Sequence, residues 1–187
     1  MTDEEEKEKE QENKMLLIDF IPVTITLVCL ISQIVLTFVK WNNYYGLDYV
    51  TYLGYAVWAL SALFGIWPMI TLRRKGGVKK GDSYMKTSAL VQSGLYAVVR
   101  HPQFLAGIYI SLALALISQH WVVIILCLPV IILTYIDAFN ADKGLLKKFG
   151  KEYQQYKKKV PPLNPFFGLI KLIIKRSSNK KNKPSEK

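Results

Sequence analysis

The sequence predicts an all-α protein, a polytopic membrane bundle of about four transmembrane helices. Two observations predict this fold class. The 187 residues are 51% hydrophobic with a mean hydropathy of +0.17, and the apolar residues form long blocks instead of recurring with amphipathic spacing. Because a helix needs roughly 20 apolar residues to cross a bilayer, such blocks favour membrane spans over a soluble core.

Four apolar blocks follow one another along the chain. They cover about residues 15–39, 49–72, 102–118 and 121–140. Only Gln119 and His120 separate the last two blocks, which predicts a tight helical hairpin. Each of these two blocks is short for a span.

The net charge of +11 indicates a membrane partner and not a nucleic acid, because the lysines flank apolar blocks or lie in the last third of the chain. With four spans, both termini and the basic loop 73–100 lie on one side, and Lys40 is the only basic residue in the opposite loops. The positive-inside rule predicts that the shared side is cytoplasmic. The identity of the membrane and the oligomeric state stay open.

The two ends of the chain differ from the apolar blocks in composition. Residues 1–14 are almost wholly charged or amide, and residues 177–187 are polar and rich in lysine. Segments that bury little apolar area are expected to remain disordered. We therefore expect an acidic tail and a basic tail on either side of one membrane domain, residues 15–176.

The junction between the basic loop and the third span contains the densest group of unusual residues. A residue before proline avoids helical geometry, so His101 should lie just outside the helix with Pro102 in its first turn. This helix end, beside Arg100 and Tyr96, would accept anions. The same residues also fit a membrane anchor, a helix cap and an interfacial aromatic belt.

Two acidic residues near the end of the fourth span form a second candidate site. A carboxylate there is costly unless it faces water or a partner, so Asp137 and Asp142 are candidate catalytic residues. Asp137 also has a plainer interpretation, in which it reaches the headgroups. No metal site is predicted, because the two histidines lie on opposite sides and Cys29 and Cys127 lack ligand spacing.

Two segments resemble a known family in order and spacing. LVQSGLYAVVRHP, residues 90–102, and LLKKFGKEYQQYKKKVP, residues 145–161, resemble motifs of the isoprenylcysteine carboxyl methyltransferase family. These are polytopic membrane enzymes related to phospholipid methyltransferases. The resemblance covers about residues 73–165 and implies a cytoplasmic pocket for S-adenosyl-L-methionine between the two segments.

Carried over by position, the resemblance implies nine cofactor-binding residues. They are Ser88, Ala89, Leu90, Val91, Tyr96, His101, Pro102, Gln103 and Phe104. Two of them depart from the family pattern, since Phe104 stands where tyrosine is usual and Ser88 where histidine is frequent. Neither change removes the expected cofactor binding.

A third departure concerns the substrate. Where the family has an arginine and two glutamates, this chain has Asp137, Ala141 and Asp142. An aspartate in the arginine position would repel a carboxylate substrate and suit a cationic headgroup. The expected function is methyl transfer to a prenylcysteine carboxyl group or to another lipid-like substrate. The alternative is a non-catalytic membrane protein that retains the fold.

Overall fold

A computed structural model of the protein describes residues 3–39, 45–79, 81–83 and 86–181. All regular secondary structure in these ranges is helical, which confirms the predicted class. The helices are α1 (Asp3–Phe38), α2 (Asp48–Lys75), α3 (Pro102–Ser118), α4 (Trp121–Lys159) and α5 (Pro165–Lys181), with a 3₁₀ turn at Gly94–Ala97.

Three helices within the described ranges are long and apolar enough to cross a membrane: α1 through Ile21–Phe38, α2 and α4. Helix α3 has 17 residues, about 25 Å at 1.5 Å per residue, which is at the lower limit for a span. The predicted hairpin is present, because α3 ends at Ser118 and α4 begins at Trp121. The crossing by α3 and the side on which each terminus lies stay predictions.

The structure differs from the predicted disordered tails. Helix α1 begins at Asp3, so residues 3–14 continue the apolar helix. Glutamate, lysine and glutamine favour helices, and extending an existing helix avoids the cost of nucleation. Likewise, Ser177–Lys181 belong to α5. Met1, Thr2 and residues 182–187 lie outside the described residues.

The chain forms two compact units. The first contains the described parts of residues 1–58 and 108–137. Within it, the fully buried Gln33 accepts a hydrogen bond from Ser111 Oγ (2.8 Å) and donates one to the Val123 carbonyl (2.9 Å). Since unpaired polar groups are costly in lipid, these bonds fix α1, α3 and α4 against each other.

The second unit contains the described parts of residues 59–107 and 138–187. Two backbone hydrogen bonds join its distant segments: the Arg100 amide donates to the Pro161 carbonyl (3.0 Å), and the His101 amide donates to the Pro162 carbonyl (3.1 Å). They hold the link between α4 and α5 beside the start of α3. Both segments that carry the resemblance therefore lie in this unit.

Candidate active site

A kink at Gly150 shapes the site. Gly150 has φ 53° and ψ −127°, which lies outside helical geometry and divides α4 into two helical parts. In an uninterrupted helix, residues 142 and 153 would be about 16 Å apart along the axis. In the kinked helix the Tyr153 hydroxyl instead donates a short hydrogen bond to Asp142 Oδ1. The kink therefore brings the two parts of α4 together around one carboxylate.

Asp142 lies at the centre of a buried ionic cluster. Its side chain is 1% exposed, and Oδ1 also accepts a hydrogen bond from His101 Nε2 at 2.7 Å. Its other oxygen, Oδ2, is 3.1 Å from both Arg100 Nη2 and Lys157 Nζ. These two contacts are ion pairs without hydrogen-bond alignment. Four side chains thus contact this one carboxylate, and Arg100 and Lys157 bring opposite charge to it.

The electrostatics of the cluster keep Asp142 ionised. The predicted span of residues 121–140 has the roughly 20 residues that cross a hydrocarbon core of about 30 Å, so Asp142 lies beyond the predicted span. Burial opposes ionisation of this carboxyl, but the hydrogen bonds from His101 and Tyr153 and the His101 charge outweigh it. Its pKa is therefore held well below the ordinary value.

A cavity of about 230 Å³ adjoins this cluster. Both predicted segments line it, together with the end of α2. The lining residues are Leu72, Thr87, Ala89, Leu90, Val91, Tyr96, Arg100, His101, Pro102, Gln103, Phe104, Ala141, Leu145, Phe149, Tyr153 and Tyr156. Most of the wall is apolar or aromatic, with a few polar groups from Arg100, His101 and Gln103. This composition is typical of a small-molecule site.

Two polar atoms of the lining residues have no hydrogen-bond partner within the described part of the chain. They are Arg100 Nε, on a side chain that is largely buried, and Gln103 Nε2. A buried donor without a partner costs free energy, so a ligand that brings acceptor atoms to these two residues would remove that cost. The carboxylate and ribose oxygens of S-adenosyl-L-methionine meet that requirement. The residues present therefore fit the implied cofactor.

Packing behind the cavity fixes the tail of α4. Tyr153, Tyr156 and Val160 form a buried cluster, against which Leu90, Leu145 and Phe149 pack. The Tyr156 hydroxyl donates a hydrogen bond to the Tyr96 carbonyl at 2.6 Å, which anchors the 3₁₀ turn. The apolar and tyrosine positions of the tail motif thus build the wall of the cavity.

Most of the predicted cofactor-binding residues line this one cavity, and Ser88 is the exception. The Ser88 hydroxyl donates to the Gly77 carbonyl (2.9 Å), and its amide donates to the Gly76 carbonyl (2.8 Å), so it shapes the loop. Neither candidate catalytic carboxylate lines the cavity. Asp142 lies in the ionic cluster behind the wall, and Asp137 is half-buried in the other unit.

The sequence interpretation missed three residues of the site. Leu72 and Thr87 line the cavity, and Lys157 contacts Asp142. Lys157 follows Tyr153 by four residues, so the two share a helix face after the kink. That spacing is the signal that could have identified Lys157.

The family to which this protein belongs follows from its similarity to known proteins. The pattern of the phospholipid methyltransferase family matches residues 49–152, more than half of the chain. The protein belongs to this family. The match contains the 3₁₀ turn, the start of α3, Asp142 and the Gly150 kink.

About half of the chain is also similar in sequence to individual curated proteins. The protein-S-isoprenylcysteine O-methyltransferase of Homo sapiens is 33% identical over 97 residues, 47% of this chain and 31% of that protein. The protein of the same name from Xenopus laevis is 32% identical over 103 residues, 50% of this chain and 32% of that protein. The matches thus span about a third of the length of these relatives. No solved structure gives a significant match.

The kink at Gly150 leads to a prediction about the stability of the protein. We expect Gly150→Ala to destabilise the protein by roughly 1–3 kcal/mol, because an L-residue is strained at this φ and ψ. A Cβ at Gly150 meets no atom within 4 Å, so the cost is conformational and not steric. Gly144→Ala, in the same helix and equally open, should be neutral or slightly stabilising. Thermal unfolding of both variants in detergent tests this, and equal melting temperatures would contradict it.

Proposed function

We propose that the protein is an integral membrane methyltransferase that uses S-adenosyl-L-methionine and acts on a lipid-like substrate. The observation on which this rests is the joining of both motif segments around one cavity, whose lining residues include Arg100 and Gln103, each with a buried donor that lacks a partner. Family membership supports the same reaction class. The basic loop favours a cytoplasmic opening, from which a water-soluble cofactor would enter.

We propose that Arg100 and Gln103 hold the polar part of the cofactor, while Tyr96, Phe104 and Phe149 enclose its apolar and aromatic surface. When bound, the cofactor supplies an electrophilic methyl group. The protein has to align the acceptor with that group and exclude water, and the mainly apolar wall suits both tasks. The positioning residue is Asp142, which orients His101 and Arg100 through direct contacts.

The net charge of the ionic cluster favours some substrates over others. Asp142 is paired with Arg100 and Lys157, and the ionic cluster is therefore electropositive. This weighs against the cationic headgroup that the two aspartates favoured in the sequence, because Asp142 is already neutralised. We therefore propose an anionic acceptor such as a prenylcysteine carboxylate, which is ionised near neutral pH and needs no general base. The cofactor would occupy this cavity of about 230 Å³, so the lipid chain of the substrate would lie outside it.

Cofactor binding tests this function. His101→Ala should weaken S-adenosyl-L-methionine binding by about 10- to 100-fold, because His101 is one of the few polar residues that line the cavity and we propose that it contacts the charged cofactor. The matched control is His120→Ala, because each histidine is 7% exposed and His120 does not line the cavity. Calorimetry on the purified protein measures both affinities, and melting temperatures confirm folding. Equal affinities in the two variants would contradict the assignment.

Product chemistry then identifies the acceptor. The protein is incubated with radiolabelled cofactor and a total lipid extract or a prenylcysteine analogue. A methyl ester releases its label in base, whereas an N-methyl group retains it. Release would support the carboxylate acceptor, and retention would favour a lipid amine. Cofactor binding with no transfer to any acceptor would favour the non-catalytic alternative.

A further inference from the structure

Helix α5 is held in one orientation against the second unit. Its first turn is capped by Asn164, whose Oδ1 accepts a hydrogen bond from the Phe167 amide at 3.0 Å. One turn later, Gly168 lies so close to the Val98 backbone that a Cβ there would collide with the Val98 carbonyl. The helix therefore cannot rotate about its axis without losing this contact.

This orientation exposes the apolar side of α5. Six large apolar residues recur at helical spacing along the exposed side, each about half exposed or more. They are Phe166, Phe167, Leu169, Ile170, Ile173 and Ile174. A helix with such an apolar face in a protein with membrane-spanning helices is expected to lie in the bilayer interface. In that position the apolar face would contact lipid.

A second cavity of about 100 Å³ lies beside α5. Two exposed lysines, Lys159 at the end of α4 and Lys171 on α5, line it together with Gln92 and Tyr156. The Lys171 ammonium lies 4.7 Å from the centre of the Phe167 ring, so it marks the edge of the apolar face. If the apolar face lies in the bilayer interface, the ammonium of Lys171 at its edge would meet the headgroup phosphates.

We propose that this second cavity binds the headgroup of an anionic phospholipid whose acyl chains lie along the apolar face of α5. Charge complementarity with Lys159 and Lys171 selects the anion, and the adjoining apolar face selects a lipid over a free anion. Tyr156 lines both cavities. The bound lipid would therefore contact the wall of the candidate active site. The proposal does not depend on methyl transfer.

Native mass spectrometry of the full chain in detergent tests this proposal with phosphatidylglycerol and phosphatidylcholine of identical acyl chains. The wild type should prefer phosphatidylglycerol. Lys171→Gln and Lys159→Gln should each reduce that preference by about fivefold, the typical contribution of one basic side chain near an anionic surface. Lys158→Gln is the matched control, since Lys158 is exposed but does not line the cavity. It should leave the preference unchanged.

Further variants separate the lipid from a free anion. Ile170→Ser combined with Ile173→Ser should weaken the binding of both lipids to the same extent and leave the ratio of their affinities unchanged. The proposal is overturned if the wild type binds the two lipids equally. It is also overturned if Lys158→Gln reduces the preference for phosphatidylglycerol as much as Lys171→Gln does. Complete displacement of phosphatidylglycerol by inorganic phosphate would also overturn it. Melting temperatures of all variants confirm that they fold.

Discussion

Asp142→Asn is expected to destabilise the protein by about 3–5 kcal/mol, the typical cost of removing one partner from a buried ion pair. Asparagine keeps the shape of the side chain but removes its charge. Arg100, which is 6% exposed, then remains buried without a counter-charge, and His101 and Tyr153 lose a charged acceptor. Urea or thermal unfolding in detergent micelles measures the loss.

The control for this prediction is Asp82→Asn. Asp82 pairs with Lys86 at 3.3 Å on an exposed loop, and such pairs contribute at most about 1 kcal/mol. If Asp142→Asn cost no more than Asp82→Asn, the cluster would not stabilise the fold.

The stability that Asp142 contributes depends on pH in a defined direction. Because the pKa of Asp142 is lowered on folding, its stabilisation is fully present above the ordinary value of 3.8 and is lost as pH falls through the folded value. The difference in stability between wild type and Asp142→Asn should therefore narrow as the pH falls below 3.8.

Gly168→Ala is the second substitution with a large expected effect. The added Cβ would collide with the Val98 backbone, which cannot move aside as a flexible side chain can. We expect α5 to separate from the segment before α3, at a cost of several kcal/mol, about the upper range for single substitutions. Limited proteolysis should then cleave the link near Asn164 faster, and the melting temperature should fall.

Gly107→Ala provides the comparison, since a Cβ at Gly107 meets no atom within 4 Å. It should leave both the cleavage rate and the melting temperature close to those of the wild type. A Gly168→Ala protein with wild-type proteolysis would show that α5 is not held by this close approach.

The fold class was predictable because membrane spans depend on local composition. Apolar blocks and the two-residue gap at Gln119 and His120 predicted the bundle and its hairpin, and the structure confirms both. Composition predicted a disordered N-terminal tail, whereas residues 3–14 continue α1 in the structure. Composition alone does not register that a helix already formed extends through charged helix formers.

The candidate site was predictable only in part. Motif spacing located the two segments, and His101 and Pro102 occupy their expected places at the start of α3. The contacts of Asp142 with Tyr153 and Lys157 were not predictable, because they depend on the Gly150 kink, and a single glycine in a helical pattern does not specify its dihedral angles. In a continuous helix, Tyr153 and Lys157 would lie far from Asp142, which is 11 or more positions earlier. Sequence spacing alone therefore does not predict these contacts.

The backbone pairing of Arg100 and His101 with Pro161 and Pro162 has a consequence for biosynthesis. A ribosome makes the chain from its N-terminus, so the Arg100 charge emerges more than 40 residues before its counter-charge Asp142 and about 60 before its backbone acceptor. During that interval the start of α3 has neither its ionic partner nor its main-chain partner. Nascent chains arrested before Asp142 should therefore hold this junction in water or in the insertion machinery, and its packing should begin only once the link after α4 has been released.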